Sequence, residues 1–259
     1  MSIKRRTLIT GASSGLGMEL ALLMASKGHS LVLVARNEGR LLSLKSYLER
    51  EYKVGVDVFP IDLTLKESTQ KLYDFVRLNN FEIDILVNNA GFGDFGPFST
   101  SELKKQREMI ALNVSAVVDL CHLFLPEMIH FKQGRILNVA SIAAFQPGPY
   151  MSIYYATKAF VLSFSEALAT ELQGTGVSVT ALCPGPIRTG FEERADLTSS
   201  GLFKNLKVTT PDAVARFGYA AMMRGQVVAI HGVWNRLLVF PSRFMPRSWV
   251  RKTVRRIQA

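Results

Sequence analysis

The sequence predicts an α/β protein built on a doubly wound parallel sheet of about seven strands, with helices on both faces. Three observations lead to this fold class: strand-like runs alternate with helical patterns, most runs are continuous in Val, Ile and Leu, and a glycine-rich turn follows the first run. Continuous apolar runs are typical of strands that are covered on both sides. With 259 residues, 48% of them apolar, the chain can build the core that such a sheet requires.

The alternation runs along the whole chain without an internal repeat or a linker, so a single domain over residues 1–259 is predicted. The predicted strands are Arg6–Thr10, Ser30–Arg36, Val54–Ile61, Ile83–Asn88, Arg135–Ser141, Ser178–Cys183 and Val227–His231. The predicted helices are Ser13–Lys27, Glu38–Glu51, Leu65–Asn79, Ser101–His130, Tyr154–Gln173 and Pro211–Arg224.

The first strand leads into the segment Thr10 to Gly17, which reads TGASSGLG and precedes a helical pattern. Gly11 allows a tight turn, Gly15 allows the backbone to approach a ligand, and Gly17 allows the helix to pack closely on the strand. The N–H groups at the start of the helix suit a pyrophosphate. A plain turn between strand and helix is the alternative, and the alternating elements that follow favour the nucleotide site.

Ligands of such sheets bind at the carboxyl ends of the strands, where several polar residues follow the predicted strands. Arg36 ends the second strand, at a position without an acid, and its guanidinium suits the 2′-phosphate of NADP better than the ribose of NAD. Asp62, after the third strand, accepts either from the adenine amino group or as the N-cap of the next helix. Asn88 to Gly91 forms either a turn or a contact with the adenosine side of the cofactor.

Tyr154 and Lys158 are four residues apart and share one face of a predicted helix. An ammonium group beside a phenol favours the phenolate, so the pair suits proton transfer to or from a carbonyl oxygen. The hydroxyl of Ser141, at the end of the fifth strand, is able to polarise the same carbonyl. Tyr155 lies three residues before Lys158, so the spacing alone does not choose between the two tyrosines.

Taken together, the motifs match a known pattern: TGxxxGxG at Thr10 to Gly17, NNAG at Asn88 to Gly91 and YxxxK at Tyr154 to Lys158, with Ser141 and Asn113 at the expected places. The chain therefore resembles the short-chain dehydrogenase/reductase family over nearly its whole length. The resemblance implies a Rossmann-type doubly wound parallel sheet. It also implies an NADP(H)-dependent oxidoreductase that moves a hydride between the nicotinamide and a ketone, aldehyde or secondary alcohol.

The resemblance also implies the roles of the four catalytic residues: Tyr154 is the acid/base, Lys158 binds the nicotinamide ribose and lowers the pKa of the tyrosine, Ser141 orients the carbonyl, and Asn113 holds a water relay to the lysine. Thr189 is implied to hydrogen-bond the nicotinamide carboxamide. The full set of predicted NADP(H) contacts is Gly11, Ser13, Ser14, Gly15, Leu16, Gly17, Arg36, Asp62, Leu63, Asn89, Ala90, Gly91, Tyr154, Lys158, Pro184, Gly185, Ile187 and Thr189. A homodimer or homotetramer through the long helices is implied as well.

The residues around the predicted cleft are rich in phenylalanine and proline, and residues 186–210 are predicted to form a substrate lid. An apolar pocket favours a lipophilic ketone or aldehyde over a sugar. Two alternatives remain open: a 3-oxoacyl thioester reductase, and an NADP-binding sensor without turnover.

The net charge of +10 is concentrated at the C-terminus: residues 213–259 hold nine Lys and Arg and no acid, which leaves 22 basic and 21 acidic residues before them. Within the tail 235–259, Val250, Val254 and Ile257 form an apolar stripe on a cationic helix. The tail therefore packs on its own domain or a second subunit, rests on an anionic membrane, or attracts an anionic substrate.

Neither a membrane span nor a nucleic-acid partner is predicted, because the longest apolar stretch, 111–129, contains Asn113, Asp119, His122 and Glu127, and the tail alternates basic with large apolar side chains. The two cysteines have no metal-ligand spacing, so no metal site is expected. They are interpreted as buried thiols of a reducing compartment. A cytoplasmic protein is predicted, with peripheral membrane contact as one interpretation of the tail.

Overall fold

The structure, a computed structural model, describes residues 4–188, 208–240 and 244–258. Its strands are β1 (Lys4–Thr10), β2 (Leu31–Ala35), β3 (Val56–Pro60), β4 (Phe81–Asn88), β5 (Gly134–Val139), β6 (Val177–Cys183) and β7 (Val228–Ile230). Its α-helices are α1 (Gly15–Ser26), α2 (Glu38–Tyr52), α3 (Ser68–Leu78), α4 (Leu103–Ile110), α5 (Ala116–His130), α6 (Ser152–Glu171), α7 (Pro211–Met223), α8 (Val233–Val239) and α9 (Arg247–Gln258).

The strands form one parallel sheet in the order β3-β2-β1-β4-β5-β6-β7. The predicted fold class is therefore confirmed. The strand order reverses between β1 and β4, and a crevice opens at the carboxyl ends of the strands at such a reversal. The glycine turn leaves β1 and the NNAG segment leaves β4, so both motifs meet at this crevice.

Strand β2 shows why the predicted runs are continuous in apolar residues. Leu31 and Leu33 pack in the core cluster with α1 and α2, while Val32 and Val34 pack in the opposite cluster with α3 and α5. All four side chains are fully buried. Because successive side chains of a strand point to opposite faces, a strand with helices on both sides needs an apolar residue at every position.

The predicted helix Ser101–His130 is interrupted by one wider turn, a π-helical segment over Ala111–Ser115 between α4 and α5. Within the described residues, the stretch Leu103–His130 has the length and the mean hydropathy, 1.7, of a helix that could cross a membrane, whereas none was expected. Leu120, Phe124 and Met128 of this stretch are about 1% exposed and pack in the core. These apolar residues are thus used for packing on the sheet.

The C-terminal helix α9 folds back onto the domain with part of its predicted apolar stripe inward. Val250 and Val254 are buried and pack with Ala143, Met151 and Tyr155. The interpretation in which the tail packs on its own domain therefore agrees with the structure, while the side chain of Ile257 lies outside the described residues.

Candidate active site

A cavity of about 310 Å³ opens at the carboxyl ends of the central strands. Its walls come from the glycine turn, the ends of β2 and β3, the NNAG segment, the residues around Ser141, helix α6 and the segment after β6. Of the predicted site residues within the described chain, all but Gly17 and Asn113 line it. Thr189 lies outside the described residues.

The glycine turn fits so closely against the NNAG segment that side chains are excluded from it. Gly11 has φ +68°, and a Cβ there would lie 2.8 Å from the Nδ2 atom of Asn89. A Cβ on Gly17 would lie 2.3 Å from the carbonyl oxygen of Gly11, so this residue packs the helix on the turn instead of lining the cavity. Gly15, with φ +56°, does line the cavity. The turn is therefore shaped as a cradle for a ligand at the start of α1.

Thr10 and Asn89 hold this cradle in place through a set of short hydrogen bonds. The Thr10 hydroxyl oxygen accepts from the backbone N–H groups of Asn89 and Ala90, both at 3.0 Å. The Asn89 side chain donates back to the Thr10 carbonyl oxygen at 2.9 Å. Asn88 points away from the cavity and donates to buried Asn138 at 2.9 Å. The NNAG segment thus braces the turn and contributes Asn89 to the cavity wall.

Arg36 and Asp62 face each other at the end of the cavity formed by β2 and β3. The guanidinium Nη1 lies 3.7 Å from a carboxylate oxygen of Asp62, and the Arg36 side chain is 73% exposed. The other Asp62 oxygen accepts from the N–H and the hydroxyl of Thr64, at 2.9 and 2.8 Å. Helix α3 begins only at Ser68, so the interpretation of Asp62 as its N-cap is wrong. Asp62 instead closes a turn of its own.

Ser141, Tyr154 and Lys158 come together at the opposite end of the cavity. Ser141 follows β5, where its hydroxyl accepts from the N–H of Ala143 at 3.1 Å and is hydrogen-bonded to the Tyr154 side chain. The Lys158 Nζ atom lies 5.8 Å from the Tyr154 ring centroid, one turn further along α6. A phenol, a hydroxyl and an amine are thus aimed at the same space.

Tyr155, the other candidate, has different surroundings. Its ring is about 5% exposed and packs directly on Gly148, where a Cβ would lie only 2.2 Å from the ring. Tyr154 is the tyrosine that is hydrogen-bonded to Ser141, so the geometry distinguishes two residues that the spacing left equivalent.

Burial governs the protonation of this cluster. It raises the pKa of Tyr154 to about 12, although the hydrogen bond from Ser141 acts in the opposite direction. It lowers the pKa of Lys158 to about 8, and the amine donates to the carbonyl oxygen of Val139 at 2.8 Å. Lys158 is not among the causes of the raised Tyr154 pKa, so the lowering of that pKa by the lysine stays a prediction.

Asn113 lies in the π-helical turn behind the cluster, and it is 1% exposed. Its amide bonds the backbone of Phe92 at both ends, accepting from the N–H at 3.1 Å and donating to the carbonyl at 2.9 Å. It also donates to the Thr157 hydroxyl at 3.1 Å. The side chain thus ties α6 to the loop after β4, and the water relay stays a prediction.

Among the cavity residues that the sequence reasoning missed, two come from the tail. Leu238 of α8 and Val254 of α9 both line the cavity. The apolar stripe signalled that one face of α9 would be buried, but it gave no indication of the surface that receives it.

The predicted lid is described only at its two ends. Ile187 and Thr209 form a parallel bridge, in which the N–H of Arg188 donates to the Thr209 carbonyl at 3.2 Å. The N–H of Thr209 donates to the Pro186 carbonyl at 3.1 Å. The start and the end of the segment are therefore joined beside the cavity.

Comparisons with known proteins agree with this geometry. The family model for short chain dehydrogenases matches residues 5–199. A very-long-chain 3-oxoacyl-CoA reductase of Pyrenophora tritici-repentis is 31% identical over 244 residues, which cover 92% of this chain and 71% of that protein. A short-chain dehydrogenase from Sphingobium yanoikuyae, solved with NADPH, is 33% identical with a TM-score of 0.82, covering 93% of this chain and 94% of the other. A bulky-bulky ketone specific alcohol dehydrogenase from Comamonas testosteroni is 32% identical with a TM-score of 0.78 and 94% coverage of both chains. The chain therefore belongs to the short-chain dehydrogenase family and is an oxidoreductase.

Proposed function

We propose that the chain is an NADP(H)-dependent oxidoreductase that interconverts a lipophilic ketone or aldehyde and the corresponding alcohol. The observation that carries the proposal is the convergence of Ser141, Tyr154 and Lys158 in one cavity with the glycine cradle. NADPH, when bound, supplies the hydride for the carbonyl carbon. The residues of the chain bind the cofactor, orient the carbonyl and deliver the proton.

The cofactor site extends from the glycine cradle to Lys158. The start of α1 suits the pyrophosphate, because backbone N–H groups and a partial positive charge meet there. The exposed guanidinium of Arg36 suits a 2′-phosphate, since Asp62 is its only ion-pair partner within the described residues and a guanidinium can form a bidentate contact. Ile187, which lines the cavity, would border the nicotinamide carboxamide, and the family resemblance implies the same of Thr189. The NADPH complexes of the Sphingobium enzyme and of an L-sorbose reductase from Gluconobacter frateurii, 29% identical with a TM-score of 0.76, support this choice.

Proton delivery falls to Tyr154, which is a neutral phenol at pH 7 because burial raises its pKa to about 12. The phenol donates to the carbonyl oxygen while the Ser141 hydroxyl donates to the same oxygen, so the charge that develops there is held by two donors. The ammonium group of Lys158 stabilises the phenolate that remains. Asn113 fixes α6 against the loop after β4 and so positions the amine.

The substrate end of the cavity is apolar. Its walls include Phe92, Met151, Tyr155, Leu238 and Val254, which favour a bulky hydrocarbon beside the carbonyl. We propose that residues 186–210 close over it as a lid. A 3-oxoacyl thioester is a second candidate substrate, favoured by the cationic tail and by the 3-oxoacyl-CoA reductase relative.

We propose a homodimer or homotetramer and a cytoplasmic protein with peripheral contact to a membrane. The oligomer is supported by apolar side chains that helices α5 and α6 expose, such as Ile129 and Phe160, which are 38% and 43% exposed. The membrane contact is supported by the composition of the tail, which combines cations with large apolar side chains.

The test is NADPH oxidation by the purified chain against a panel of bulky ketones, 3-oxoacyl thioesters and sugars. Turnover of the first class, with Tyr154→Phe reduced at least about a hundredfold and NADPH affinity retained, supports the assignment. Tyr155→Phe keeps the proton donor and retains turnover. Turnover in Tyr154→Phe at the rate of the parent enzyme would remove the proposed role, and cofactor binding without oxidation of any class would favour the sensor.

A further inference from the structure

The last described segments of the chain expose a group of large apolar side chains, which we call the aromatic surface. Its members are each more than half exposed: Val233, Trp234, Leu237, Phe240, Phe244 and Trp249. Val233, Leu237 and Phe240 recur at spacings of four and three and so share one side of α8. The rings of Phe240 and Phe244 lie against each other, with centroids 5.3 Å apart. So many large apolar side chains exposed on two successive helices and the segment between them mark an interaction site.

The charged residues of the segments that carry the aromatic surface are all of one sign. No Asp or Glu follows Asp212 in the sequence. The cations of α8 and α9 are exposed, and within the described residues none of them forms an ion pair: Arg236, Arg247, Arg251, Lys252, Arg255 and Arg256. The partner of this surface must therefore accept large aromatic groups and supply negative charge.

We propose that the aromatic surface docks on an anionic phospholipid bilayer and that the lipophilic substrate passes from the bilayer into the cavity between α8 and α9. Tryptophan and phenylalanine suit the boundary between headgroups and acyl chains, and cations beside them suit anionic headgroups. A symmetric contact between two copies would bring the same cationic segments together without an acid to pair with. An acidic protein would satisfy the cations but leave six apolar side chains to be covered.

The second half of the proposal rests on the proposed function and on the inner sides of the same two helices. Leu238 of α8 and Val254 of α9 line the catalytic cavity. Val250 and Val254 pack against Met151 and Tyr155, next to the catalytic tyrosine. Each helix thus has one side on the cavity and one side on the aromatic surface. A bilayer in contact with the outer side lies only one helix thickness from the site where a carbonyl is reduced.

Intrinsic tryptophan fluorescence can report the contact with the bilayer. Its two tryptophans, Trp234 and Trp249, both belong to the aromatic surface. On addition of vesicles that mix phosphatidylglycerol with phosphatidylcholine, the intrinsic fluorescence of the full chain should shift to the blue, and the chain should sediment with the vesicles. Pure phosphatidylcholine vesicles should give a much weaker response, and added salt should reduce the response to the anionic ones.

Two variants separate the contributions. The double variant Trp234→Ser, Trp249→Ser tests the contribution of the aromatic groups. Its matched control is the double variant Leu78→Ser, Leu103→Ser, which removes two apolar side chains exposed elsewhere. Neutralising four tail cations to Gln should weaken binding to anionic vesicles by about 600-fold, at about fivefold for each charge. The tested cations are Arg251, Lys252, Arg255 and Arg256, and the matched control neutralises the exposed Lys27, Lys66, Lys71 and Lys104.

Substrate entry is tested with two ketones, one dissolved in water and one held in anionic vesicles. The tryptophan variant should lose at least about tenfold in kcat/KM for the vesicle-borne ketone, while its kcat/KM for the water-soluble ketone stays within about twofold. Equal losses on both ketones would overturn the entry route. Absence of NADPH oxidation with every carbonyl would refute the proposed function and the entry route with it, and vesicle binding is measured without turnover.

Other occupants of the surface give distinct results. Failure of the parent chain to bind anionic vesicles overturns the docking proposal, and so does binding that the tail variants and their matched controls share equally. A dimer that dissociates on Trp234→Ser with Trp249→Ser, without vesicle binding by the parent, assigns the surface to a second copy. Binding of an acidic acyl carrier protein without vesicle binding assigns it to a protein partner. Either result would contradict the proposal that the aromatic surface docks on a membrane.

Discussion

Replacing Arg36 by serine should weaken NADPH binding and leave NADH binding almost unchanged. Arg36 lines the cavity at the end of β2, and its side chain is 73% exposed. A hydrogen bond between charged partners contributes about 1.5–3 kcal/mol, and the exposure places this contact at the lower end even with two bonds. The dissociation constant of NADPH should therefore rise about 10- to 30-fold. NADH has no 2′-phosphate, so the same substitution removes no contact from it.

The stability of the fold should change little in this variant. The only ion pair of Arg36 in the described chain is the 3.7 Å contact with Asp62, and exposed pairs of this kind contribute about 0–1 kcal/mol. Arg36→Asp should weaken NADPH further, because a carboxylate there repels both the phosphate and Asp62, and it offers an acceptor for the ribose hydroxyl of NADH. The preference for NADPH over NADH should then narrow or reverse.

Both dissociation constants are measured by the fluorescence of the reduced nicotinamide, with thermal unfolding to check the fold. Arg40→Ser is the matched control, since Arg40 is also exposed, in the first turn of α2, but does not line the cavity. It should change the NADPH affinity by no more than about twofold. An equal loss for NADH and NADPH in Arg36→Ser, or no loss for either, would refute the phosphate contact.

Three further predictions concern the cradle and the amine. Gly17→Ala places a Cβ 2.3 Å from the Gly11 carbonyl oxygen, so calorimetry should show a lower Tm and the affinity for NADPH should fall. The control Gly39→Ala, on α2, adds a Cβ with no close contact and should leave the Tm unchanged or raise it. Thr10→Val leaves two backbone N–H groups without their acceptor and should cost about 2–4 kcal/mol of unfolding free energy in urea titrations; a cost below about 0.5 kcal/mol would contradict the bracing role. Since the pKa of Lys158 is about 8, the affinity for NADPH should decline as pH rises through that value, and Lys158→Met should abolish the dependence; the same slope in the variant would assign it to another group.

The sheet could be predicted from the sequence because burial on both faces leaves a local trace. Val32 and Val34 must be apolar for one core, and Leu31 and Leu33 for the other, so the run itself identifies a central strand. The start of α3 was misplaced for an equally local reason. The Asp62 carboxylate binds the N–H of Thr64 and closes a turn, which delays the helix beyond the predicted start.

The residues of the candidate site could be predicted from the sequence, but their protonation states could not. Spacing puts Tyr154 and Lys158 on one face of a helix, and that relation holds in any environment. Their pKa values depend on the elements that surround them, which come from distant parts of the sequence. The contribution of Leu238 and Val254 to the cavity is non-local in the same sense. An apolar stripe indicates that one face of a helix is buried, but it does not indicate which surface covers that face.

Burial shifts the pKa values of the two titrating groups of the site in opposite directions. Burial disfavours charge, so it keeps the Tyr154 phenol protonated, with a pKa of about 12, and makes the Lys158 ammonium easier to deprotonate, with a pKa of about 8. A protonated phenol is the form that donates to a carbonyl oxygen. Alcohol oxidation instead needs the phenolate, which positive charge beside the ring favours. Burial therefore holds Tyr154 in its proton-donating form near pH 7.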